Sequence, residues 1–283
     1  MPISPDQTVT DKFTSRQSRL NQALQSANLD ALALNPGASL TYLTGLQFHL
    51  SERPVIAIFS PGQSVHLILP ELEQAKLLDL TYPIKAFPYG EDPQTWIDSF
   101  RAALVAAGVA SGRIGVEPRQ LRLLEFSLLT QAAPQTNYIP AEEVLSSLRS
   151  IKDSSEILAM RKAAQIAQLA LQATLPSIRF SISERDLAAE LTLQLLRAGS
   201  DSEIPFAPIV SAGPNSANPH ASPSDRLLQP GDLLVLDFGA AHQGYISDIT
   251  RTFALGNIDP EYAQIVHLVL QAASMGSGAE LFV

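Results

Sequence analysis

Two carboxylates and one imidazole in this 283-residue sequence stand where chemistry could be done. Asp237 interrupts Leu233-Leu234-Val235-Leu236-Asp237-Phe238, an apolar run that otherwise reads as a buried strand. Asp248 interrupts the next β-rich run, Tyr245 to Phe253. A hairpin with His242-Gln243 as its loop sets Asp237 directly opposite Asp248, with Cβ atoms ~5 Å apart. Asp237 then shares a face with Leu233 and Val235, because side chains alternate along a strand. Opposed like charges on a half-buried face destabilise it unless one carboxyl is protonated or a cation lies between them. A divalent metal, or a pair bridged by carboxylates, accounts for both residues and suits all-oxygen ligands. The alternative is a shifted register, with one Asp capping the turn and the other solvated. His220 follows Pro219 in a long, polar, proline-rich loop, Ser211 to Gln229. Loops of that length tend to be functional or disordered. An imidazole there is suited to hold a substrate carbonyl or relay a proton; the plainer reading is an ordinary loop histidine.

The elements that must position these groups are legible in outline. In the first half, Arg16 to Ala27 predicts a helix with Leu20, Ala23 and Leu24 on one face. Asp30-Ala31-Leu32-Ala33-Leu34 is a short apolar run stopped by the turn Asn35-Pro36-Gly37. Pro54 to Phe59 and Ser64 to Leu69 predict a hairpin, and Ile84 to Phe87 and Arg113 to Glu117 predict further strands among helices. Strands interleaved with helices imply an α/β layer structure. His49 and His66 stand alone and read as packed or surface residues. A domain boundary is expected near residue 150. Beyond it, Ser154 to Leu175 predicts a long helix whose core stripe is Ile157, Met160, Ala164, Ala167, Leu171 and Leu175. Ser183 reads as the N-cap of a second helix, with Asp186 three residues on and an end before Gly199.

Composition removes several function classes. Lys and Arg total 19 against 28 Asp and Glu, a formal net charge of −9. That balance opposes nucleic-acid binding, which needs clustered cations to displace phosphate counterions. It equally opposes docking on an anionic membrane. The absence of cysteine excludes disulfides, zinc-thiolate sites and thiol catalysis. No apolar run is long enough to cross a bilayer, and MPISPDQTVTDKF carries no secretory pattern, so a cytoplasmic protein is expected.

Longer stretches then resemble a known family. Ile209-Val210-Ser211-Ala212-Gly213-Pro214-Asn215-Ser216-Ala217-Asn218-Pro219-His220, Gly231-Asp232, Asp237-Phe238-Gly239 and Gly244-Tyr245-Ile246-Ser247-Asp248-Ile249-Thr250-Arg251-Thr252 resemble the pita-bread metallopeptidases, in the branch of Xaa-Pro aminopeptidase and Xaa-Pro dipeptidase (prolidase). Leu29 to Leu32, Tyr42 to Gly45 and Glu52-Arg53-Pro54 are similar to that family's creatinase-like N-terminal domain. The resemblance implies an α/β N-terminal creatinase-like domain over residues 1–150, then an incomplete α+β pita-bread domain over 151–283. It implies two divalent metal ions, manganese above all, on Asp237 and Asp248, with His220 binding substrate or moving a proton. The implied reaction is hydrolysis of the peptide bond preceding proline, on a peptide with proline in second position. A homo-oligomer is implied as well, the family being often dimeric or larger.

The resemblance also sets an expectation of what is lacking. The family site has five protein ligands, three of them further along the chain in a histidine segment and two glutamates. After Asp248 the candidates are Asp259, Glu261, His267 and Glu280, none in a matching motif. With two of five ligands, the chain is expected to be a truncated member, inactive alone. Two rival readings are a non-catalytic peptide- or protein-binding module of the same fold and a creatinase-like amidinohydrolase.

Overall fold

The computed structural model describes residues 5–277, and the chain divides into two compact units, 1–151 and 152–283. The first unit runs α1 (Pro5–Ser26), β1 (Ala31–Leu34), α2 (Ala38–Thr44), β2 (Ile56–Phe59), β3 (Val65–Pro70), β4 (Ile84–Tyr89), α3 (Trp96–Ala106), β5 (Ser111–Val116), α4 (Leu123–Ala132), β6 (Gln135–Pro140) and α5 (Glu142–Arg149). Its six strands form one sheet in the order β4-β3-β2-β1-β5-β6. β2 is antiparallel to both its neighbours, whereas β3–β4, β1–β5 and β5–β6 are parallel.

Strand alternation divides this unit into two cores. Leu32, Leu34, Ala57, Phe59, Leu67 and Leu69 pack on one face with Leu20 and Leu24 of α1 and Leu145 and Leu148 of α5. Ala31, Ala33, Ile56, Ile58 and Ile68 pack on the other with Phe100 and Leu104 of α3 and Leu129 of α4. A sheet covered on both faces needs apolar residues at every position, which is why Ala31-Leu32-Ala33-Leu34 is an unbroken apolar run. The segment Glu71–Leu77 is a 3-10 helix, and β6 lies where no strand is expected from the sequence.

The second unit runs α6 (Ser154–Thr174), α7 (Glu184–Arg197), β7 (Ile209–Ala212), β8 (Leu233–Phe238), β9 (Ala241–His242), β10 (Tyr245–Ile246), β11 (Ile249–Ala254) and α8 (Pro260–Ser277). The antiparallel sheet has the order β11-β8-β7, with β9 and β10 pairing beyond it. Leu234, Leu236 and Phe238 of β8 face the core formed with Ile166, Ala167 and Ala170 of α6 and Leu187, Leu191 and Leu195 of α7. Asp237 therefore lies on the opposite face of the sheet, with Leu233 and Val235, and all three are half-buried.

Helix α6 buries Ala167 of the expected stripe and packs Leu171 against the core, but its most buried face is made mainly of small residues. Ala159, Ala163, Ile166, Ala167, Ala170 and Thr174 are buried, while Ile157, Met160 and Leu175 are about two-fifths exposed. The small residues leave room for a side chain to reach the helix backbone: Ser247 Oγ donates to the Ala163 carbonyl at 3.2 Å. The start of α6 is closed by a capping box, with Asp153 accepting from Glu156 N and Glu156 returning to Asp153 N. Ser183 caps α7 by accepting from Asp186 N at 3.0 Å.

Candidate functional site

The β8–β11 ladder carries the first candidate residue. The hairpin loop is Gln243-Gly244, not His242-Gln243: His242 pairs with Tyr245, and Ala241 with Ile246. Gln243 has φ 53° and Gly244 φ 79°, the two positive values that a tight type I′ turn requires. Glycine takes such a conformation without steric cost, so the turn centres one residue later than expected. The return strand consequently slips by two residues, and Asp237 pairs with Thr250 instead of Asp248. Direct opposition of the two carboxylates is thereby overturned.

A slip of two leaves every side chain on its original face. Continued through Thr250, the alternation sets Asp248 on the face of Asp237, diagonal to it, although the ladder is interrupted at Ser247 and Asp248. The interruption has a local cause. A Cβ on Gly239 would collide with the Ser247 carbonyl oxygen and lie 2.8 Å from Pro205 Cγ, so the chain here tolerates glycine alone. Ser247 bridges the break by accepting from Ala240 N at 3.0 Å. Asp248 is exposed, and Asp237 Oδ1 accepts from Thr250 Oγ1 at 3.0 Å. Carboxylate oxygens are what hard divalent ions take, so the pair fits such an ion in kind. Among the described residues no group of three or more His, Cys, Asp or Glu comes together to hold one.

The other carboxylates and histidines named from the sequence lie apart in role. Asp259 accepts from Glu261 N at 2.8 Å and opens α8. His267 is exposed on α8, beside exposed Leu268, Val269 and Leu270. Glu280 lies outside the described residues. His220 is exposed, and its backbone N–H donates to Asn218 Oδ1 at 3.0 Å.

What holds the His220 loop was missed in the sequence. After β7 the chain makes a 3-10 turn, Gly213–Ala217, before reaching His220. Glu184, the first residue of α7, is fully buried beneath that loop. Its Oε1 accepts from Ala212 N at 2.7 Å, and its Oε2 from Ser224 N at 3.1 Å and Ser224 Oγ at 2.7 Å. Asn215 Nδ2 reaches both oxygens, at 3.1 and 3.0 Å. Further on, Arg226 makes a two-pronged ion pair with Asp232, at 2.7 and 2.8 Å. Burial works to raise the Asp232 carboxyl, but the Arg226 guanidinium and the Gln229 amide outweigh it and hold the group below its usual range. An acidic residue in the first turn of α7 was the available signal, yet acids are common at helix starts for dipole reasons alone.

Comparison with known proteins bears on the whole assembly. The Creatinase/Prolidase N-terminal domain matches residues 16–151, and Metallopeptidase family M24 matches residues 158–279. A dipeptidase structure from Pyrococcus horikoshii OT3 is 32% identical with a TM-score of 0.82, over 91% of this chain and 70% of that one. A prolidase structure from Thermococcus sibiricus is 26% identical with a TM-score of 0.83, over 92% of this chain and 70% of that one. A Xaa-Pro dipeptidase of Pyrococcus horikoshii is 25% identical over 93% of this chain and 70% of its own length. The family works with a divalent metal. On sequence and fold together, the chain belongs to metallopeptidase family M24, a peptidase with a creatinase/prolidase N-terminal domain followed by a pita-bread domain.

Proposed function

We propose that this peptidase hydrolyses the bond preceding proline in short peptides, with Asp237 and Asp248 as ligands of a divalent ion, manganese foremost and two ions in the full set. The observation that carries the reading is the placement of Asp237 on the sheet face turned away from the helices, with Asp248 following on that face by alternation. The names of the relatives support the substrate class: a Xaa-Pro dipeptidase and a prolidase. When bound, the metal supplies a Lewis acid that polarises a carbonyl and makes water more acidic. Asp237 and Asp248 contribute the oxygens, and Thr250 orients Asp237 through its hydroxyl. His220, exposed on its loop, holds the substrate carbonyl or passes a proton at its imidazole.

Two carboxylates leave most coordination positions to water, so the reading expects weak ion binding and little or no turnover from this chain alone. Titration of the purified chain with manganese tests the site, and assays with a Xaa-Pro dipeptide, a Xaa-Pro tripeptide and creatine test the chemistry. Weak binding that disappears in Asp237→Asn is the expected result. Binding unchanged by both Asp237→Asn and Asp248→Asn refutes the ligand assignment. Metal-dependent cleavage of the peptides at a robust rate refutes the expected inactivity while keeping the specificity, and action on creatine alone refutes the specificity.

A further inference from the structure

We propose that Glu184 is the positioning residue of the His220 loop: one buried carboxylate ties the end of β7, the 3-10 turn and the far end of the loop into a single frame. The inference rests on the reading that His220 meets substrate, but its structural half stands independently of it. A fully buried carboxylate is costly unless its oxygens are satisfied by hydrogen bonds. Glu184 meets that demand with donors from Ala212, Asn215 and Ser224, which lie 28, 31 and 40 residues further along the chain. These donors bracket His220 from both sides: Ala212 and Asn215 precede it, and Ser224 follows. All are neutral N–H or O–H groups, so the carboxylate's charge strengthens each bond. The N-terminus of α7, where Glu184 sits, favours a negative charge. The backbone reinforces the frame, since Glu184 N donates to the Arg226 carbonyl and Arg185 N to the Ser224 carbonyl, both at 3.0 Å. Arg185 of α7 also pairs with Asp225 of the loop, at 3.3 Å, but both side chains are exposed and such a pair contributes little.

The test replaces acceptors by donors at constant shape. In Glu184→Gln, one oxygen becomes an NH2 that faces groups which are themselves donors, so the frame loses the charge and one of its two acceptors. Hydrogen exchange at the Ala212 and Ser224 amides is expected to accelerate at least about tenfold, since bonds to a charged group are the stronger kind. The Leu234 and Leu236 amides of β8 are expected to keep their rates. The ring signals of His220 in a 1H–13C spectrum are expected to shift, and Glu184→Asp, which retains the charge, is expected to restore part of both effects. Should Glu184→Gln fail to fold, Asn215→Ala removes one loop-side donor and is expected to give the same local pattern at smaller size. Unchanged exchange at Ala212 and Ser224, acceleration spread equally over β8, or an unmoved His220 signal would each overturn the proposal. If the exchange and the His220 signal change as expected while His220→Ala leaves metal-dependent peptide binding intact, the functional reading of His220 falls and the positioning by Glu184 stands.

Discussion

Thr250 stands across the ladder from Asp237 and donates its hydroxyl to Asp237 Oδ1 at 3.0 Å. A carboxylate held this way has one oxygen engaged, and under the proposed function the second oxygen is the one left for the ion. Groups that orient a metal ligand typically contribute 10–100-fold in affinity. Thr250→Val preserves the shape of the side chain and removes the donor. It is expected to weaken manganese binding by roughly tenfold or more without lowering the melting temperature. Equal affinity in the two proteins would show that the hydroxyl orients nothing.

Gly239 lies where the ladder breaks, against the Ser247 carbonyl and Pro205. Gly239→Ala forces backbone to move, and overpacking of that kind costs about 1–3 kcal/mol. A urea titration should show a lowered midpoint with an unchanged slope. An unaltered midpoint would mean that the break relaxes freely.

Gln243 occupies a left-handed conformation in the turn before Gly244. Asn-Gly is the pair such a turn favours. Gln243→Asn is expected to raise stability by a few tenths of a kcal/mol, up to about 1 kcal/mol, because asparagine tolerates this conformation better. Gly244→Ala should do the reverse. Thermal melts of the two variants, read against the parent, check both signs.

His66 is buried on β3, stacked on Phe87 and paired across the sheet with Lys85. Burial is the main cause of its lowered pKa, the Lys85 charge adds to it, and the Ser64 backbone opposes. The unfolded chain therefore takes up a proton before the native state does, as pH falls through the ordinary value of 6.5. Stability is present above that pH and is lost as pH falls through the lowered native value, then levels off. Asp232 acts with the same sign at lower pH, below its ordinary value of 3.8. Denaturation midpoints measured from pH 7.5 down to 5 should decline, and His66→Leu should flatten that decline. A parent curve that is flat over this range would contradict the account.

Much of the molecule was legible from local chemistry alone. The apolar run from Asp30 to Leu34 is plain from its residues, and Ser183 reads as a helix cap because its hydroxyl needs only the amide three residues on. The strand character of residues 233–238 and 249–254, and the placing of Asp237 in one of them, needed no tertiary information either. Long motif stretches likewise suffice for the family, since they extend over much of both units.

Other features were decided only when distant parts met. Helical periodicity in α6 allows a stripe of large residues or a stripe of alanines, and the approach of Ser247 to Ala163 selects the alanines. Hairpin register hung on which residues take positive φ, a choice that Gly244 makes and that moves Asp237 from Asp248 to Thr250. Glu184 could not be singled out in the sequence, because its bonding partners are 28 to 40 residues away. Capping, alternation and turn chemistry act between near neighbours and are written in short stretches of residues. Satisfying a buried charge depends on which distant donors the folded chain brings to it.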